Sequence, residues 1–127
     1  MTKRKILIID DEPHFTRMVK FNLEETGEYE VAVENEASHG VEAAMDYNPD
    51  VILLDVIMPG MEGPDVIFQL KNTESVKHIP VIFLTATVTK DEVEANHGTI
   101  AGYSFLAKPT SLTELIDCIE RKTQPQY

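Results

Sequence analysis

The chain has 127 residues, 43% of them hydrophobic, with 11 Lys+Arg against 22 Asp+Glu and a formal net charge of −11. That length and apolar content fit one domain with a buried core and exclude a disordered tail. The acidic balance argues against direct nucleic-acid binding and against an anionic membrane surface, and a single cysteine, Cys118, excludes an intramolecular disulfide or a cysteine-based zinc site.

Taken in chain order, apolar runs and helical patterns alternate. Residues 5–9 form a nearly continuous apolar run, as do 51–54 and 80–84, and 103–106 is a weaker one. Near-continuous Ile, Leu and Val is the signature of parallel strands buried on both faces. Residues 29–33 alternate apolar and polar, which predicts a less buried strand. Between these runs, Phe15, Met18, Val19 and Leu23 repeat at helical spacing, with Pro13 in the first turn and Gly27 just past the end. Val41, Ala44 and Met45 mark a second helix, closed by Asn48-Pro49. A third spans 64–71 with Val66, Ile67 and Leu70, and a short, acidic fourth spans 90–96. In the last helix Ser111 and Glu114 form a capping box ahead of Leu115, Ile116 and Ile119, and Arg121 and Lys122 occupy the final turn. Residues 123–127 read as a frayed tail. Strand and helix alternate five times, which predicts a doubly wound α/β sheet with helices on both faces.

In such sheets function gathers beyond the carboxyl ends of the strands. The first strand is followed by Asp10-Asp11-Glu12, the third ends at Asp55, and the fourth and fifth are followed by Thr85-Ala86 and Lys108-Pro109. Two carboxylates ~4 Å apart repel by ~4 kcal/mol at an effective dielectric near 20. Lys108 offsets one charge of Asp10, Asp11 and Asp55, and a hard divalent cation with oxygen ligands, Mg²⁺, would cancel the rest. Taken singly, each group has an ordinary reading. The acidic triplet suits a helix N-terminus, Lys108 a solvated loop, Thr85 a strand end, and Met58-Pro59 with Gly60 and Gly63 a turn. Asp55 is harder to dismiss, because a carboxylate directly after a buried apolar run is costly unless paired or metal-bound.

The combination Ile8-Ile9-Asp10-Asp11-Glu12, Pro49-Asp50-Val51-Ile52-Leu53-Leu54-Asp55 with Met58-Pro59 and Gly63, Thr85-Ala86 and Lys108-Pro109 resembles a response-regulator receiver domain of the CheY-like kind. The resemblance covers about residues 4–122 of a single domain spanning 1–127. It implies a flavodoxin-like sheet of five parallel strands, order 2-1-3-4-5, with five helices. It also implies that Asp55 accepts a phosphoryl group from a histidine kinase or phosphotransfer protein, and that Asp10, Asp11, Asp55 and the Ile57 carbonyl hold Mg²⁺. Asp11 would ligate directly and Asp10 mainly through water. Thr85 would hydrogen-bond the phosphoryl group, Lys108 would pair with it, Pro109 would follow a cis peptide, and Phe105 would turn inward on activation. The chain would then be a phosphoacceptor switch rather than a turnover enzyme. Its output surface would be the fourth helix, fifth strand and fifth helix, with homodimerisation compatible.

Two departures bear on this. Ile57 and Thr87, two residues beyond Asp55 and Thr85, cannot readily orient a water, which implies slow loss of the phosphoryl group. Residues 96–102 replace the usual acidic loop and run one residue longer. His14, His39, His78 and His97 are scattered, and none reads as a phospho-acceptor. Competing functions are a phosphorylation-independent interaction module, a haloacid-dehalogenase-type phosphohydrolase and a flavodoxin-like electron carrier. The phosphohydrolase lacks its second acid at Ile57, and the electron carrier's phosphate loop would be repelled by Asp10-Asp11-Glu12. No apolar run approaches the ~18 residues of a membrane span. The run behind Lys3-Arg4-Lys5 is too short for a signal peptide, so a cytoplasmic location is expected. The chain is expected to be either a stand-alone regulator that acts by docking or the receiver of a longer protein, with any DNA-binding or enzymatic output outside these residues.

Overall fold

In a computed structural model of the chain, residues 3–56, 63–86, 99–100, 103–108 and 111–123 are described. The order is β1 (Arg4–Ile9), α1 (Pro13–Glu25), β2 (Tyr29–Glu34), a 3₁₀ turn (Ala37–His39), α2 (Gly40–Tyr47), β3 (Val51–Asp55), α3 (Gly63–Lys71), β4 (Val81–Thr85), β5 (Thr99–Ile100), β6 (Tyr103–Ala107) and α4 (Leu112–Thr123). The sheet runs β2-β1-β3-β4-β6-β5. The five longer strands are parallel, in the order expected from the resemblance. The two-residue β5, antiparallel to β6 at the edge, was not expected. The predicted helix at 90–96 and the tail at 124–127 lie outside the described residues. No helix among the described residues is long and apolar enough to cross a membrane.

Alternation along the central strands divides the core between the two faces. Ile6 and Ile8 of β1, Leu53 of β3 and Ile82 and Leu84 of β4 pack with Val19 and Leu23 of α1 and Leu115, Cys118 and Ile119 of α4. Leu7, Ile9, Ile52, Leu54, Val81 and Phe83 point the other way, onto Ala44 of α2 and Val66, Ile67 and Leu70 of α3. Each central strand is therefore apolar at every position because each face has its own pair of helices.

The helix termini follow local chemistry. Asn48 takes a left-handed conformation at φ 52° and closes α2 by donating its N–H to the Ala44 carbonyl at 2.8 Å. Gly27, at φ 80°, turns the chain from α1 into β2. At the start of α4 the Glu114 N–H donates to Ser111 Oγ at 3.1 Å, and Ser111 Oγ lies 3.2 Å from the Glu114 carboxylate. Two expected core residues are displaced: Met18 and Met45 are half-exposed. In α1 the buried positions are Thr16, Val19 and Leu23. Burial of Thr16 is possible because its hydroxyl donates to the Pro13 carbonyl at 3.1 Å and accepts from Asn35 Nδ2 at 3.1 Å.

Tyr29 opens β2 with its ring buried and its hydroxyl donating to Glu120 Oε2 at 2.9 Å, where Arg4 Nε also stands 3.3 Å from the same carboxylate oxygen. Burial, and then the Glu120 carboxylate, push the phenol up to about 12. The folded state thus favours the neutral phenol. Its contribution is complete below the unfolded value near 10 and is lost as pH rises through about 12. Tyr29→Phe is expected to cost about 1 kcal/mol at neutral pH and to flatten the loss of stability between pH 10 and 12. Urea unfolding across that range checks this, and an unchanged slope would place the alkaline loss elsewhere.

Candidate functional site

Register brings the site together. Ile9 of β1 pairs with Leu54 of β3, so Asp10 and Asp55, one residue further on each strand, emerge side by side. Asp55 in turn pairs with Leu84 of β4, which sets Thr85 one step beyond. Thr85 pairs with Ala107 of β6, which sets Lys108 one step beyond that, and the Lys108 N–H donates to the Thr85 carbonyl at 2.8 Å. Five of the residues singled out in the sequence, Asp10, Asp11, Asp55, Thr85 and Lys108, thus meet at one edge of the sheet.

Asp10 is fully buried. Its Oδ2 lies 2.6 Å from Lys108 Nζ, its Oδ1 accepts the Glu12 N–H at 3.0 Å, and its carbonyl accepts from Asn35 Nδ2 at 2.8 Å. Burial raises its carboxyl above the usual range, against the lowering pull of Lys108 and the Glu12 N–H. Lys108 Nζ also stands 3.3 Å from Glu12 Oε1 and 3.7 Å from Asp55 Oδ1. Burial by itself would lower the ammonium, but Asp10, Asp55 and Glu12 outweigh it and hold Lys108 above the usual lysine range. Asp55 and Thr85 are both buried.

Asp10, Asp11, Glu12 and Asp55 each offer a carboxylate oxygen, all within 4.8 Å of one another. An all-oxygen, carboxylate-rich set facing a single described ammonium matches what a hard divalent cation requires. Phe105 stands on β6 opposite Phe83 of β4 and stacks on it, with ring centroids 4.9 Å apart and planes at 21°. Ile57, Thr87, Pro109, His97 and the Met58-Pro59-Gly60 turn lie outside the described residues, as do 96–102 apart from β5.

Four contributors were assigned no role in the site by the sequence reading. Glu12 was visible in the acidic triplet, but nothing in the sequence aims it at Lys108. Phe15 read as core, yet its ring lies under Lys108 Nζ at 4.4 Å. Asn35, a polar residue directly after β2, was signalled by the same strand-end rule as the others and steadies Asp10. Gly63 read as turn chemistry. A Cβ there would lie 2.8 Å from both the Asp55 carbonyl oxygen and the Val56 Cα, and the Gly63 N–H donates to the Val56 carbonyl at 2.6 Å. Only glycine lets α3 start so close to the end of β3.

The sequence profile of the response regulator receiver domain matches residues 6–120. The chain is 34% identical over 122 residues to an uncharacterized transcriptional regulatory protein, YkoG, of Bacillus subtilis, covering 91% of this chain and 49% of that protein. It spans about half the length of the curated relatives it matches. Among solved structures, the chemotaxis protein CheY4 of Vibrio cholerae superposes with a TM-score of 0.79 at 26% identity, over 94% of this chain and 98% of that one. The receiver domain of the sensor histidine kinase PA1611 from Pseudomonas aeruginosa, solved with a magnesium ion in its active-site cleft, shares the fold with a TM-score of 0.79 at 24% identity, over 96% and 98% of the two chains. The profile match over most of the chain and the relatives at 34% identity show that the chain belongs to the receiver-domain family of two-component response regulators.

Proposed function

We propose that Asp55 accepts a phosphoryl group from a sensor histidine kinase or a phosphotransfer protein in a Mg²⁺-dependent reaction. The observation that carries this reading is the placement of one ammonium, Lys108 Nζ, 2.6 Å from Asp10 and 3.7 Å from Asp55, inside a group of four clustered carboxylates. Asp10, Asp11, Asp55 and the Ile57 carbonyl would hold the ion. When bound, it supplies positive charge that offsets the carboxylates and the oxygens of the transferring group.

The chain's own residues do the rest. An Asp55 carboxylate oxygen attacks phosphorus while the bond from phosphorus to the donor imidazole nitrogen breaks and its electron pair returns to the ring. Lys108 pairs with the new phosphoryl group and the Thr85 hydroxyl donates to it. Catalysis is then mostly positioning and electrostatics. Movement of Thr85 toward the phosphoryl group would be coupled to Phe105, which would change the surface of the fourth predicted helix, β6 and α4 offered to an output protein or domain. The protein works as a switch in the cytoplasm, and this domain itself binds neither nucleic acid nor membrane.

Incubation with acetyl phosphate and Mg²⁺, read by intact-protein mass, tests the assignment. The wild type is expected to gain one phosphoryl group, while Asp55→Asn, and the wild type with EDTA, stay near background. Equal labelling of Asp55→Asn would remove Asp55 as the acceptor. A wild type that takes no label at all would favour an interaction module that works without phosphorylation.

A further inference from the structure

The contacts of Lys108 are lopsided. Its ammonium makes three contacts with one short segment, at Asp10 (2.6 Å), Glu12 (3.3 Å) and the face of Phe15 (4.4 Å to the ring centroid), and one with Asp55, at 3.7 Å the longest of its three ion pairs. The local structure of that segment explains the grouping. Glu12 stands at the N-cap position of α1, its side chain making no cap hydrogen bond, and Phe15 lies three residues on, so both side chains occupy one face of the first turn. The Glu12 N–H also fixes the Asp10 carboxylate from behind, at 3.0 Å. The Lys108 side chain is only 10% exposed, so the ring acts on a largely desolvated cation, the setting in which cation–π attraction is strongest.

We propose that Phe15 and Glu12 are positioning residues that hold the Lys108 ammonium in a resting berth beside Asp10, and that leaving this berth opposes phosphorylation of Asp55. This rests on the phosphoacceptor reading above. A phosphoryl group brings about −1.5 to −2 charges, in place of one carboxylate charge, and draws the ammonium away from the ring. Whatever strengthens the berth therefore favours the unphosphorylated state, and whatever weakens it favours the phosphorylated one.

The experiment uses the phosphoryl mimic beryllofluoride with Mg²⁺, followed by NMR. In the resting wild type the ε-CH₂ protons of Lys108 are expected upfield, shielded by the Phe15 ring, and to return toward ordinary lysine positions in the complex. A shielding that persists unchanged in the complex would overturn the proposal. Phe15→Leu keeps apolar bulk without the aromatic face and is expected to bind the mimic about three- to tenfold more tightly. Glu12→Gln is expected to bind about two- to threefold more tightly, the gain shrinking as salt is raised, because the Glu12 side chain is 63% exposed. Equal affinity in Phe15→Leu and wild type would also overturn it. A wild type that binds no beryllofluoride would instead overturn the phosphoacceptor reading itself.

Discussion

Lys108→Ala is expected to lower the unfolding free energy by about 3 kcal/mol at neutral pH, the scale of breaking one side of a buried ion pair. The lysine faces three carboxylates, and Asp10 among them is fully buried, so its removal strands a charge that water cannot reach. The defect has a sign in pH. The folded state already raises the Asp10 carboxyl above its ordinary value through burial. A proton bound there stabilises the folded state below the unfolded carboxyl's range, and that contribution is lost as pH rises through the raised folded value. The variant's defect should therefore be larger at pH 7.5 than at pH 5, because a carboxyl raised above its ordinary value is neutralised sooner as pH falls. Millimolar Mg²⁺ should restore more stability to the variant than it adds to the wild type, because the cation replaces the missing positive charge. Urea unfolding at the two pH values, with and without Mg²⁺, reads all of this. A defect equal at both pH values would mean that Lys108 contributes packing rather than charge.

Leu53→Ala is expected to cost about 3 kcal/mol, within the usual 2–5 for a leucine truncated in a close-packed core. Leu53 is fully buried at the centre of the sheet, level with Ile8 on β1 and Ile82 on β4, and it belongs to the cluster under α1 and α4. Rigid strands on both sides leave little scope for collapse into the cavity. Against a typical total of 5–15 kcal/mol, this is a large fraction of the stability. The urea midpoint should fall with an unchanged slope. Phe68→Ala, at a side chain 70% exposed on α3, should change stability by less than about 0.5 kcal/mol. A Leu53 cost no larger than that control would mean that the sheet centre tolerates the void.

The central strands were legible because their signal is local. A run such as Val51-Ile52-Leu53-Leu54 is apolar at every position only when helices cover both faces, and all four residues are fully buried. The acids and the lysine were legible because each stands one or two residues past such a run. Helix rotation was less so. Phe15, Met18, Val19 and Leu23 share a stripe, but the sheet accepts only part of it, leaving Met18 outside and drawing Thr16 in. Thr16 could be drawn in because Asn35, from another element, satisfies its hydroxyl. The edge strand β5 carries only two residues, too few for any periodicity to register.

The amino-acid order by itself determined the alternation of strand and helix, the receiver family and the set Asp10, Asp11, Asp55, Thr85 and Lys108. The alternation follows from side-chain period, the set from which residues stand at the strand ends, and the family from the resemblance that the combined motifs carry. The tertiary structure decided which charges share one cation. Lys108 and Asp10 are 98 positions apart in the chain and 2.6 Å apart in space. Their distance depends on the register of four parallel strands, which no local pattern encodes. The same register put Glu12 and Phe15 beside the Lys108 ammonium, and only there does a glutamate at a helix start or a helix-face phenylalanine acquire a part in the chemistry.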